Sequence, residues 1–299
     1  MKYEILRDQK DPKYDLDSLV IKPKWSLDEI ALSSEILEQI EQIVAYIKYR
    51  EILLNKWQYC RFLKTGKGLT INFFGLPGTG KSITAEAIAQ KLGMNIIKVN
   101  YGELESELVG GTSKNLSNIF QVAEKSGSLL LFDEADTVLS KRISNLSQAA
   151  DYGINSAKGT LLTLLDKFNG VIIFTTNLFE NYDGAFLRRI IFNIEFDPPN
   201  FLTRIQLWRF HLSETVPKTI SYEKAAEISD SLCGGDIRNI AIKLGLKLLA
   251  NQVSLIDENL MLETIQKYKD IKEIHKKTEF MQKYVLESNS VSNSSQLEN

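Results

Sequence analysis

The chain has 299 residues, 43% of them hydrophobic and 25% charged, with a formal net charge of −2. That length suits one domain plus a subdomain, and the charge balance lacks the basic footprint of a constitutive nucleic-acid binder. Two histidines, His211 and His275, are too few for a histidine-based zinc site, and Cys60 and Cys233 are far apart and form no CxxC pair, which reads as reduced thiols.

The first ten residues hold no apolar core of a signal peptide, and no run reaches the ~18 apolar residues of a membrane span. The expected location is the cytoplasm. Residues 1–24 are polar, carry Pro12 and Pro23, and read as a flexible arm. Residues 33–64 follow with a helical pattern: Ile36, Ile40, Ile43, Val44 and Ile47 fall on one face, and Ser33 or Ser34 is placed to cap the start.

Five short apolar runs come next, at 69–75, 95–100, 128–133, 170–177 and 190–196. They do not alternate, as strands buried on both faces should not. Helical stretches such as 81–92 and 114–125 lie between them. This predicts an αβα fold around a five-stranded parallel sheet spanning 25–200. "DPPN" at 197–200 ends the pattern. Residues 201–276 offer only helices, predicting a small all-helical subdomain, and the Ser/Asn-rich end, 277–299, reads as disordered.

"GLPGTGKS", Gly75 to Ser82, fits G-x-x-x-x-G-K-[ST] with an apolar strand before it and a helix pattern after it. Gly75, Gly78 and Gly80 free the backbone to aim N–H groups at phosphate oxygens, together with Leu76, Pro77, Thr79 and Ile83 around the loop. Lys81 is placed to reach the β- and γ-phosphates of ATP, and the Ser82 hydroxyl to bind Mg²⁺. The glycine spacing and the Lys-Ser ending argue against a dinucleotide fingerprint.

A phosphate loop needs a second strand that delivers an acid to the metal. "LLLFDE" lies there, with Asp133 at the strand end, 52 positions past Lys81, as the metal carboxylate and Glu134 as general base for the attacking water. Asp136 completes the letters Asp-Glu-Ala-Asp that name a helicase family, but its plainer reading is a surface or capping carboxylate. A helicase of that kind needs two sheet domains and a Ser-Ala-Thr motif. Here one sheet's worth of strands exists, and the later strand ends "TTN".

In order, these segments resemble the AAA+ ATPases, over roughly residues 25–270. "FFGLPGTGKSITAEAIA" is similar to the Walker A strand and helix, and "LLLFDEAD" to Walker B. "FTTN" is similar to sensor 1, which implies that Asn177 orients the lytic water or touches the γ-phosphate. "YDGAFLRRI" resembles the arginine-finger segment, implying Arg188 and Arg189 as trans-acting groups, with Arg189 preferred. "WSLDEIAL" resembles the lead-in beside adenine, implying Ile30 and Ala31 as contacts, and "LCGGDIRNIAIKLG" the lid helix, with Arg238 only loosely at the sensor 2 position. Asn100 resembles the polar switch residue that restrains Glu134. The pore-loop segment reads "ELVGG", with Leu108 where threading members carry an aromatic, followed by Val109 and Gly110. The single module looks most like stand-alone bacterial or phage-type members.

The resemblance implies an ATP-hydrolysing homo-oligomer, a hexameric ring, acting on a protein client rather than on nucleic acid. A nucleotide-gated scaffold or loader with little turnover, and a DNA-associated motor, are the two alternatives. The polar stretch 140–158 is open between a second pore-facing loop and a surface loop.

Overall fold

In a computed structural model, residues 16–61, 68–100, 112–140, 149–177 and 182–294 are described. The chain divides into two compact units between Pro198 and Pro199, next to the "DPPN" stop.

The first unit is built on six strands: β1 Val20–Ile21, β2 Leu69–Gly75, β3 Ile96–Asn100, β4 Leu129–Asp133, β5 Val171–Thr176 and β6 Phe192–Phe196. Their spatial order is β1-β3-β4-β5-β2-β6. Strands β2 to β6 are parallel to one another and are the five expected from sequence. The sixth is a correction. Val20 and Ile21 pair antiparallel with Ile97 and Ile96, so the stretch read as a flexible arm supplies an edge strand. Two residues give no alternation to read, and Lys22, Pro23 and Lys24 after them look like loop. Beyond the strand, the Lys24 N–H donates to Glu86 Oε2 at 3.2 Å, which ties the segment to a buried carboxylate.

Helices α1 Ser34–Lys48, α2 Lys81–Lys91, α3 Thr112–Ser126 and α4 Ala149–Lys167 cover the two faces. The two-residue period of a strand sends successive side chains to opposite layers. Leu130, Phe132, Ile172 and Phe174 pack with Leu116 and Phe120 of α3 and Leu161 and Leu165 of α4. Leu129, Leu131, Val171 and Ile173 pack instead with Ile36, Ile40 and Ile43 of α1 and Ala85 and Ile88 of α2. Phe132 and Phe174 are fully buried, each worth about 1.5–3 kcal/mol of transfer free energy. Burial on both sides explains why these strands read as continuous apolar runs.

Of the two candidate caps, Ser33 takes the role, accepting from the Ile36 N–H at 3.4 Å. The helix is shorter than its periodic pattern. It ends at Lys48, and a wider π turn follows over Ile52–Lys56.

The second unit is helical: α5 Phe201–His211, α6 Tyr222–Ile228, α7 Gly234–Leu249 and α8 Glu258–Ser294. Its core gathers Trp208, Leu212, Ile237, Ile240, Leu244, Met261 and Ile265. The Trp208 indole N–H donates to Ser229 Oγ at 2.8 Å, which satisfies the one polar atom of a fully buried ring. Asp236 closes the N-terminus of α7 by accepting from the Cys233 N–H at 3.0 Å and pairs with Lys272 of α8 at 2.6 Å. Arg238 is exposed on α7. Helix α8 runs through Ser294, past the point where composition predicted disorder. Propagating a helix already nucleated adds one hydrogen bond per residue and needs no new nucleus, so weak helix formers such as Ser and Asn can follow. No helix among the described residues is long and apolar enough to cross a membrane.

Candidate active site

Strand order places β5 between β4 and β2, so three carboxyl ends adjoin, the position where open α/β sheets present ligands. The loop from Gly75 to Gly80 joins β2 to α2. Gly75 has φ 131°, and a Cβ there would lie 2.4 Å from the Phe196 carbonyl oxygen, so a side chain is excluded twice. Gly80, at φ 103°, is the N-cap of α2, a left-handed conformation that glycine adopts without steric cost. The first turn of α2 therefore begins at the loop, with its free N–H groups and the positive end of its dipole available to an anion.

Lys81 is buried, with 7% of its surface exposed. Its ammonium donates to the Gly75 and Leu76 carbonyls, both at 2.8 Å, and to Asn177 Oδ1 at 2.9 Å. Thr79 Oγ1 donates to the Leu76 carbonyl at 2.8 Å and tightens the same turn. One residue on from Lys81, Ser82 Oγ donates to Asp133 Oδ1 at 2.7 Å. Thr175 Oγ1 donates to that same carboxylate oxygen. A hydroxyl and a carboxylate converging on one point are hard oxygen donors and match the preference of Mg²⁺.

Glu134 is exposed and has φ 53°. A non-glycine residue in the left-handed region is uncommon and costs on the order of 1–2 kcal/mol. The conformation is held from both sides: the Glu134 N–H donates to Thr175 Oγ1 at 3.2 Å, and the Ala135 N–H to the Thr175 carbonyl at 2.8 Å. The backbone thus turns sharply where the strand ends and sends the Glu134 carboxylate into solvent beside Asp133. Asn100, the last residue of β3, stands opposite Asp133 in the ladder, which puts the switch candidate one position from Glu134.

Asp136 is no idle surface charge. It opens the one-turn helix Asp136–Leu139, and its Oδ1 accepts from Thr176 Oγ1 and from the Asn177 N–H at 3.1 Å. Two consecutive threonines on β5 therefore serve two different carboxylates. Sequence reading passed over them. Their signal was available: paired hydroxyls interrupt an apolar run just before Asn177.

The two arginines are placed differently. Asp183 caps the short helix Gly184–Leu187 by accepting from the Ala185 N–H at 2.9 Å. Arg188 and Arg189 follow. Arg189 forms a fork with Asp166, Nε to Oδ1 at 2.8 Å and Nη2 to Oδ2 at 2.7 Å, while Nη1 donates to the Ala185 carbonyl at 2.8 Å. Donating these hydrogen bonds to the Asp166 carboxylate holds the Arg189 pKa above the usual arginine value. Arg188 is exposed, and its guanidinium has no hydrogen-bond or ion-pair partner among the described residues.

The lead-in turn Leu27–Glu29 lies against α2, and Ile30 packs on the α1–α2 core layer beside it. Leu108, Val109 and Gly110 lie outside the described residues, as does much of the stretch 140–158.

A family model described as "ATPase family associated with various cellular activities (AAA)" matches residues 71–198. Residues 71–198 thus match an AAA domain. That match runs from β2 to the end of the unit and takes in the loop, both acids, Asn177 and both arginines. Relatives extend the likeness over most of the chain. The 26S proteasome subunit RPT4 of Saccharomyces cerevisiae is 28% identical over 227 residues, 73% of this chain and 51% of that protein. A probable 26S proteasome regulatory subunit 4 of Caenorhabditis elegans is 27% identical over 256 residues, 82% and 56%. The proteasome-activating nucleotidase of Saccharolobus islandicus is 28% identical over 248 residues, 80% and 61%. The chain thus spans between half and two thirds of the length of these relatives.

Proposed function

We propose that this chain hydrolyses ATP with Mg²⁺ in a homo-oligomeric ring, with a hexamer as the working stoichiometry, and uses that turnover to remodel or unfold a protein client in the cytoplasm. One observation carries the reading: Ser82 and Asp133 meet at 2.7 Å, beside a lysine bonded to Asn177 at 2.9 Å, with Glu134 turned outward next to them.

The roles in this reading combine the geometry with the AAA+ resemblance. Gly75 to Ile83 wraps the phosphates with backbone N–H groups, and Ile30 and Ala31 flank the base. Lys81 binds the β- and γ-phosphates. Ser82 and Asp133 would hold Mg²⁺, which supplies charge neutralisation for the phosphate oxygens when bound. Glu134 takes a proton from the attacking water. Asn177 orients that water or the γ-phosphate, and Asn100 restrains Glu134 until the site is set. Arginine from the neighbouring subunit offsets the charge that builds on the transferred group, an effect worth ~10³–10⁵ in rate in related systems.

Between the two arginines, the exposed Arg188 is better suited to reach across an interface. Using Arg189 would first break a two-point ion pair, whereas Arg188 has no such partner among the described residues. We therefore assign Arg188 as the finger and Arg189 as the anchor that fixes its backbone, reversing the preference drawn from sequence.

The protein client is supported by the relatives, whose names are those of a proteasome subunit and a proteasome-activating nucleotidase, and by a charge balance with no basic footprint. Leu108, with Val109 and Gly110, is assigned to grip that client. Leu108→Ala should leave ATP binding intact and slow client unfolding; normal unfolding by that variant would remove the assignment. Steady-state ATPase assay of the purified chain tests the core proposal. Turnover should require Mg²⁺ and vanish on chelation. A chain that binds ATP yet shows no turnover in any oligomeric state would favour the gated scaffold instead.

A further inference from the structure

The carboxylate of Asp136 is shared between two donors at the end of β5: Thr176 Oγ1 and the Asn177 N–H at 3.1 Å. A bond to a main-chain N–H fixes a peptide plane. Here it fixes the direction in which the Asn177 side chain leaves the strand, and that side chain meets Lys81 Nζ at 2.9 Å. Thr176 is buried, so its bond to the carboxylate is kept from water, and a hydrogen bond to a charged group is worth more there than at the surface. The Asn177 N–H bond lies at the exposed side of the same carboxylate.

The same carboxylate looks the other way as well. Tyr182 is buried beside Thr176. Burial drives its phenol well above the usual range and the Asp136 charge adds to that rise, while hydrogen bonding with Thr176 and Asn72 opposes it. Tyr182 Oη donates to Asn72 Oδ1 at 2.9 Å on β2, and Asn72 Nδ2 to Asn193 Oδ1 at 3.2 Å on β6. The backbone runs in step. The turn opened by Asp136 ends at Leu139, whose carbonyl accepts from the Asp183 N–H at 2.9 Å, and Ser140 bridges Tyr182. Asp183 then caps the short helix that delivers Arg188.

We propose that Asp136 is a positioning residue that sets two groups at once: the Asn177 side chain in its own site and, through the turn it opens against Tyr182 and Asp183, the segment that presents Arg188 to a neighbour. Asp136 touches no reacting atom in this role. A capping carboxylate would stabilise the fold without aiming anything. A positioning carboxylate couples the γ-phosphate side of one site to the arginine offered to the next. The proposal rests on the reading of Asn177 as the group that orients water or phosphate.

The test compares Asp136→Ala, Asp136→Asn, Thr176→Val and Asn177→Ala in the full chain. Three things are measured: the kcat and KM for ATP, the affinity for a fluorescent ATP analogue, and amide hydrogen exchange over 175–183 without nucleotide. Asp136→Ala should lower kcat by about 10²-fold, as a misplaced group does, with KM and analogue affinity within about 3-fold. Exchange at the Asn177 and Asp183 amides should accelerate. Asp136→Asn keeps an oxygen that accepts from both donors and should recover most of the protection and most of kcat. Thr176→Val removes one donor, should fall between, and decides the matter if Asp136→Ala does not fold. Unchanged kcat in both Asp136→Ala and Thr176→Val, or a loss confined to thermal stability with exchange at Asn177 unaltered, would overturn the proposal. Asn177→Ala separates the two levels. If it retains full turnover, the role of Asn177 itself is wrong. If it is inactive while Asp136→Ala is fully active, only the positioning role fails.

Discussion

Two groups of charged side chains in the AAA domain are treated in opposite ways. At the carboxyl ends of β2, β4 and β5, Lys81, Asp133 and Asp136 are each held by the chain itself, through carbonyls, hydroxyls and a main-chain N–H. At the turn before β6, Arg188 is exposed and its guanidinium has no partner among the described residues, while its neighbour Arg189 is locked to Asp166. The contrast separates what a subunit must aim within itself from what it offers to another. A group acting on a phosphate a few ångströms away gains from being immobilised, because orientation is entropy paid in advance. A group that must cross an interface gains from an anchored base and an unbound tip.

Removing the tip should cost most. Arg188→Ala should lower ATP turnover by about 10³–10⁵-fold with little change in ATP affinity, read by steady-state ATPase rate and analogue binding. Near-normal turnover would show that the free arginine is only a surface charge. Glu134→Gln comes next: turnover should fall by ~10²–10⁴-fold, the range for a general base, with affinity kept, and unchanged turnover would remove Glu134 from the chemistry. Lys81→Ala should weaken ATP binding by roughly 10–100-fold, the loss of a charge-assisted bond to a phosphate, as titration calorimetry would register. Asp166→Ala should do least. The ion pair it breaks is partly solvated, with side chains 30% and 39% exposed, so the stability lost should be at most about 1 kcal/mol. Turnover should stay within about 3-fold if Arg189 only anchors. A collapse of turnover in that variant would mean that Arg189 works as more than an anchor, and the contrast between the two arginines would have to be redrawn.

How much of this was legible beforehand depends on how local the cause is. The phosphate loop reads directly because its glycines answer a main-chain need at fixed spacing: Gly75 sits against the Phe196 carbonyl with no room for a Cβ. The five parallel strands read because burial on two faces leaves a continuous apolar run. Partners distant in sequence left no such mark. Asp166 lies 23 positions before Arg189, and Thr176 lies 40 after Asp136, so nothing in either neighbourhood tells a locked arginine from a free one or a capping acid from a shared one. Edge strand Val20–Ile21 is too short to show a period. The end of α8 carries residues whose composition argues for disorder, while the helix before them makes continuation inexpensive. Failures of the sequence reading therefore cluster where folding, rather than spacing, chooses the partner.

The central claim is a site completed by a second subunit, and mixing tests it most directly. Arg188→Ala and Glu134→Gln chains should each be inactive alone. Mixed in equal amounts under conditions that exchange subunits, they should recover ATPase activity, because an intact Glu134 on one chain then meets an intact Arg188 on the next. A mixture as inactive as its components, with exchange verified, would contradict the account.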